Sequence, residues 1–82
     1  MQYTRLGRSG MRVSRVILGS WLTFGSSVDA EVTETCVRAA LDAGIQTIDT
    51  ADVYALGEAE RVLGEILSGT TRSDLVLASK CF

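Results

Sequence analysis

Three side chains of this sequence could together move a proton: Asp49, Tyr54 and Lys80, a carboxylate, a phenol and the only lysine of the chain. An isolated phenol has a pKa of about 10 and is poorly matched to acid–base work near neutrality. An ammonium within roughly 4–6 Å stabilises the phenolate and lowers that value, each unit corresponding to about 1.4 kcal/mol. Asp49 closes one strand-like run, Ile45 to Asp49, and Lys80 sits at the exit of another, Leu75 to Ala78. Delivery of all three groups to the same end of neighbouring parallel strands would make a proton-transfer site.

The elements needed for that delivery are legible along the chain. Tyr3 to Leu6 and Met11 to Val13 are short strand candidates separated by Gly7-Arg8-Ser9-Gly10, a hairpin loop. Val16-Ile17-Leu18 is an apolar run ending at Gly19, and its lack of alternation suits a strand covered on both faces. Asp29 is an N-cap candidate for a helix whose apolar stripe would be Val32, Cys36, Ala39, Ala40 and Ala43, stopped by Gly44. Cys36 on that stripe is expected to be a small buried residue. Ala59, Val62, Leu63, Ile66 and Leu67 mark a second amphipathic helix closed near Ser68-Gly69, with Gly64 weakening it by about 1 kcal/mol relative to alanine.

The order hairpin, β, α, β, α, β implies right-handed crossovers and a parallel sheet with helices outside it. A dinucleotide-binding fold would place a glycine-rich phosphate turn directly after its first strand. Leu18 to Gly25 holds no G-x-G-x-x-G and carries two bulky aromatics, Trp21 and Phe24. A (β/α)8 barrel instead collects side chains at the C-terminal ends of its strands, where Gly19, Asp49 and Lys80 all fall. The fold class expected is therefore α/β: an N-terminal hairpin plus the first three strands and two helices of such a barrel, residues 1–82 forming one N-terminal part of a barrel domain.

Composition bounds the function. The net charge of −2 and a pI near 4.9 give no basic footprint for nucleic acid. Arg5, Arg8, Arg12 and Arg15 are the only clustered arginines, and they fit a solvated hairpin face. No apolar run reaches the roughly 18–20 residues needed to span a bilayer, and Met1 to Arg15 lacks the apolar core of a signal peptide, so the chain reads as cytoplasmic. With no histidine and no paired cysteine spacing, a zinc site has no ligands. Cys36 and Cys81 read as thiols in a reducing compartment, and no histidine base is present to activate Cys81.

The run Ile48-Asp49-Thr50-Ala51-Asp52-Val53-Tyr54, with Gly57, Glu60 and Leu63-Gly64 after it, resembles the aldo-keto reductase signature around the catalytic aspartate and tyrosine. Tyr3 to Gly10 and Leu18-Gly19-Ser20-Trp21 are similar to the N-terminal hairpin and first βα loop of the branch containing the voltage-gated potassium channel β subunits. Ser79-Lys80 resembles the family's strand-three lysine. The resemblance implies NADPH-dependent reduction of a small aldehyde or ketone, with Tyr54 as general acid, Lys80 as the ammonium that activates it and Asp49 holding Lys80. It implies that Gly19, Ser20, Trp21 and Asp49 meet the cofactor, Asp49 near the nicotinamide ribose. It also implies that Trp21 walls a pocket for apolar or aromatic carbonyl compounds.

Singly, each residue has a plainer reading: Tyr54 as a cover for a helix end, Asp49 and Asp52 as turn formers, Lys80 as a solvated strand terminus. Asp52 keeps the structural reading, because a second carboxylate does not help a phenol lose its proton. Together, at matching strand ends and in the family's order, Asp49, Tyr54 and Lys80 favour the catalytic one.

The family's fourth catalytic residue, usually a histidine after the fourth strand, has no counterpart here, nor do the loops that hold the adenosine phosphates. The 82-residue chain alone is therefore expected to bind NADPH weakly and to be inactive, and its open sheet edges invite self-association. A cofactor-sensing regulatory subunit resembling the potassium channel β subunits is the alternative function.

Overall fold

A computed structural model describes residues 1–82. Its elements are β1 (Tyr3–Arg5), β2 (Arg12–Ser14), β3 (Ile17–Gly19), α1 (Ala30–Asp42), β4 (Thr47–Asp49), α2 (Glu58–Leu67) and β5 (Val76–Ala78). Short 3-10 turns at Tyr54–Gly57 and Arg72–Asp74, absent from the sequence expectation, precede α2 and β5. β1 and β2 form an antiparallel hairpin, and β3-β4-β5 form a parallel sheet with β4 in the middle. No helix is long and apolar enough to cross a membrane.

The sheet register positions the site. Gly19 pairs with Asp49 and Asp49 with Ala78, so the three strands end level with one another. Side chains alternate along a strand, which puts Leu18, Ile48 and Leu77 on one face and Gly19, Asp49 and Ala78 on the other. The first face meets the helices. Ile48 joins Phe24, Val37, Ala59, Val62, Leu63, Ile66, Leu67 and Leu75 in one buried cluster.

The apolar positions of α2 recur at i, i+3, i+4, i+7 and i+8, and all five are buried as the spacing predicts. Its outer face carries Arg61, paired with Glu58 and Glu65. Gly64 faces outward and the helix runs through it. α1 differs from expectation by about one residue of rotation. Its buried residues are Thr33, Val37 and Ala40, whereas Val32 is half exposed and Cys36, Ala39 and Ala43 lie outside. Cys36 is thus an exposed thiol and not a core residue. The error has a physical source in Thr33. Its hydroxyl donates to the Asp29 carbonyl (2.8 Å), which satisfies the polar atom and lets a nominally polar side chain turn inward.

The expected caps form. The Asp29 carboxylate accepts from the Val32 N–H (2.8 Å), and Gly44 takes a left-handed conformation (φ +90°) just after α1. A Cβ at Gly44 would stand 2.9 Å from the Tyr3 hydroxyl, which itself donates to the Gly44 carbonyl (2.8 Å). The hairpin is thereby fastened beside the end of α1. Its second anchor is buried: the Ser14 hydroxyl donates to the Val16 carbonyl (2.8 Å), accepts from the N–H groups of Gln46 and Thr47 and lies 3.0 Å from the Thr47 hydroxyl. The hairpin therefore covers the N-terminal end of β4, opposite the strand ends that carry Asp49.

Strands β3 and β5 each keep an unpaired outer edge. A groove of about 430 Å³ runs along α2 and β5, lined by Leu63, Leu67, Leu75 and Leu77 among others. It lies on the helix side of the sheet, away from Asp49, Tyr54 and Lys80. An open strand edge with an apolar groove beside it is the packing surface that a partial barrel leaves uncovered.

Candidate active site

Backbone pairing continues past the formal strand ends and brings the candidate residues together. The Thr50 N–H donates to the Ala78 carbonyl (2.8 Å), and the Asp52 N–H to the Lys80 carbonyl (3.3 Å), the two-residue step of a parallel ladder. Lys80 is therefore carried alongside the segment that follows Asp49. Its Nζ lies 3.2 and 3.1 Å from the two Asp49 carboxylate oxygens, 2.9 Å from the Thr50 carbonyl and 3.0 Å from the Tyr54 hydroxyl.

An ammonium has three protons and no acceptor capacity, so every one of these contacts is a donation from Lys80. Tyr54 accepts at its oxygen. Its own proton is consequently not directed at Nζ. The Lys80 ammonium is held above the ordinary lysine range, first by its hydrogen bond to Tyr54; desolvation opposes this, and the hydrogen bond and charge of Asp49 add smaller upward contributions. Half of the Lys80 side chain and 40% of Asp49 remain solvent-exposed, so a small molecule has access to both.

The other sequence-predicted residues fall around this group. Ser20 is buried, and both its N–H (3.1 Å) and its hydroxyl (3.0 Å) donate to the Asp49 carbonyl. Its donors are thus committed to the Asp49 carbonyl. Gly19 pairs with Asp49 across the sheet. Trp21 is 65% exposed, its ring centroid 6.4 Å from that of Tyr54 at an interplanar angle of 32°. The two rings form an open aromatic wall.

Tyr54 enters a strained turn. Ala55 and Leu56 adopt left-handed conformations at φ 51° and 56°, an uncommon pair for residues with a Cβ. The turn swings the chain from β4 into α2 within a few residues, and Tyr54 packs against the core cluster while its hydroxyl reaches Lys80. On the other side of the site, the Ser79 hydroxyl is hydrogen-bonded to the Glu60 carboxylate on α2.

Sequence reasoning gave no site role to Thr50, whose carbonyl is an acceptor for Lys80. A backbone acceptor carries no residue-type signal. The only pointer available was the parallel register, which places residue 50 beside residues 78–80.

Residues 15–82 match the Aldo/keto reductase family. The chain belongs to that family. The whole of it is 44% identical, over 84 aligned positions, to a probable voltage-gated potassium channel subunit beta from rice, Oryza sativa subsp. japonica, and covers 26% of that protein. An aldo-keto reductase from Bacillus halodurans in its holo form superposes with a TM-score of 0.86 at 32% identity, over 99% of this chain and 26% of that one. An aldo-keto reductase from Klebsiella pneumoniae in complex with NADPH gives a TM-score of 0.76 at 36% identity, over 85% of this chain and 24% of that one. The chain thus spans about a quarter of the length of these relatives. Its fold is the N-terminal hairpin with the first three strands and two helices of their (β/α)8 barrel.

Proposed function

We propose that the chain is the N-terminal part of an NADPH-dependent oxidoreductase that reduces small aldehydes or ketones to alcohols. The observation that carries this reading is the Lys80 ammonium donating at once to Asp49 and to the Tyr54 oxygen. The donor set fits the reacting end of a nicotinamide nucleotide: an accessible Asp49 carboxylate can accept from ribose hydroxyls, with Trp21 and Tyr54 offering ring faces beside it. NADPH, when bound, supplies the hydride that the carbonyl carbon receives.

Tyr54 supplies the proton. Its hydrogen is free to bond a carbonyl oxygen, because Lys80 occupies the opposite side of the phenol oxygen as a donor. As the proton leaves, charge develops on that oxygen against an ammonium already 3.0 Å away, so the stabilising group does not have to reorganise. Asp49, in contact with Nζ through both carboxylate oxygens, keeps the ammonium charged and aimed. Trp21 favours apolar or aromatic substrates on the open side.

The test is NADPH consumption with aromatic aldehydes by the full-length polypeptide containing these residues. Tyr54→Phe is expected to lower kcat by about 10²–10⁴-fold, the range of general acid catalysis, with the far-UV spectrum unchanged. Retained turnover in Tyr54→Phe would exclude it as the acid. The 82-residue chain alone supplies only the reacting end of the cofactor site, so NADPH fluorescence titration is expected to give no saturable micromolar binding. Saturation there would overturn that part of the reading.

A regulatory, cofactor-sensing subunit is the second reading, favoured by the similarity to the rice potassium channel subunit. Slow hydride transfer together with recovery of a membrane partner by the full-length protein would support it over the enzyme.

A further inference from the structure

We propose that Asp52 is a positioning residue, a clasp between the Tyr54 loop and the exit of β5 that sets Lys80 against the phenol. The inference rests on the roles proposed above for Tyr54 and Lys80. Asp52 holds the segment containing Lys80 at two points: its N–H donates to the Lys80 carbonyl (3.3 Å), and its carboxylate Oδ2 accepts from the Phe82 N–H (2.9 Å). The last bond of the β4–β5 ladder before these is Thr50 to Ala78, so Asp52 governs the backbone from Lys80 onward.

Asp52 also lies in the turn that leads to the acid. It lies two residues before Tyr54, whose N–H donates to the Ala51 carbonyl (3.3 Å). Asp52 thus sits inside the Ala51–Tyr54 turn while it holds the Lys80 segment, joining the two sides of the 3.0 Å contact between Nζ and the Tyr54 oxygen. Its carboxylate does not itself face Nζ, whose acceptors are Asp49, the Thr50 carbonyl and Tyr54. The second carboxylate oxygen, Oδ1, is buried without a hydrogen-bond partner. That sets Asp52 apart from a solvated turn residue, because buried polar atoms are otherwise almost always paired.

The role of Asp52 is thus mechanical, exerted through backbone contacts. Such positioning has a kinetic consequence, since a misplacement of about 1 Å can cost about 10²-fold in rate.

Lys80 is the only lysine, so its Nζ signal in the nitrogen-15 spectrum of the 82-residue chain needs no assignment by mutation. The pH titration of that signal, and the Overhauser contact between the Lys80 side chain and the Tyr54 ring, are compared in wild type, Asp52→Ala, Asp52→Asn and Phe82→Pro. Asp52→Ala is expected to move the Lys80 titration downward and to weaken the ring contact at least twofold. Asp52→Asn, which keeps an acceptor for the Phe82 N–H, is expected to restore both.

Phe82→Pro removes the N–H donor and leaves Asp52 in place, so it decides the question if Asp52→Ala loosens the fold. The expected result is a shift in the same direction. Unchanged Lys80 behaviour in Phe82→Pro, or equal shifts in Asp52→Ala and Asp52→Asn, would overturn the clasp, the latter by pointing to lost charge. These readouts stand apart from turnover. If Tyr54→Phe leaves the full-length enzyme active, the functional reading fails while the clasp is still decided by the titrations.

Discussion

Gly25 is the position where a single methyl group is expected to do most damage. It has a left-handed φ of +83°, and a Cβ there would lie 2.9 Å from the Ala59 nitrogen, the Glu58 carbonyl carbon and the Glu58 Cβ. Two of those atoms are backbone in the first turn of α2, so no flexible side chain can yield. The left-handed conformation costs a non-glycine residue about 1–2 kcal/mol. Forcing the close contacts apart adds roughly 1–3 kcal/mol, the usual range for overpacking. Gly25→Ala should therefore lose about 2–5 kcal/mol, a large share of the stability of any small domain.

Gly64→Ala is the internal control. Gly64 has open space where a Cβ would go and lies within α2, so alanine there should gain about 0.5–1 kcal/mol through helix propensity. Urea unfolding followed by far-UV circular dichroism measures both. A Gly25→Ala unfolding free energy within about 0.5 kcal/mol of wild type would refute the packing of the first βα loop onto α2. The consequence reaches the site, because that first turn follows directly on the loop that carries Tyr54.

Ser14→Ala removes the buried hydroxyl that serves the Gln46 and Thr47 N–H groups and the Val16 carbonyl, and denaturant unfolding should show a loss of about 1–3 kcal/mol. Thr47→Val, measured in the same way, would test the facing hydroxyl. For Lys80 the pH dependence has a fixed sign. Its folded pKa is raised, so its contribution to stability is complete below the unfolded value of about 10.4 and is lost as pH climbs through the folded value. Wild type should therefore lose stability above about pH 10.4 relative to Lys80→Met, whose curve lacks that component. Parallel curves through pH 11–12 would contradict the ion pair with Asp49 and the bond to Tyr54.

What the sequence exposed and what it concealed follow from how each feature is encoded. α2 was legible because its inward face is wholly apolar and strictly periodic, from Ala59 to Leu67. The rotation of α1 was not, because burial of Thr33 depends on a hydroxyl-to-carbonyl bond with Asp29 that residue type does not announce. Strand positions were legible to within a residue or two, since Gly19, Asp49 and Ala78 close apolar runs. The left-handed turn at Ala55 and Leu56 was hidden, because neither residue favours it and Leu56 is almost fully exposed. Only the geometry of reaching α2 from Tyr54 imposes it.

The candidate site shows the same division. Asp49, Tyr54 and Lys80 could be named from residue type and position, because charge and a phenol are written in side chains. Their closeness depends on something residue type does not carry, the continuation of β4–β5 pairing beyond the strands through Thr50 and Asp52. Asp52 is where the side-chain argument stopped short of the backbone. A second carboxylate does nothing for a phenol, and from that premise Asp52 had only a turn-forming role. The premise holds, since Asp52 does not touch Lys80 Nζ. Its contacts are instead with the Lys80 carbonyl and the Phe82 N–H, groups that every residue possesses. A residue can thus matter to a proton-transfer site through the backbone it holds, and only register together with hydrogen bonding reveals it.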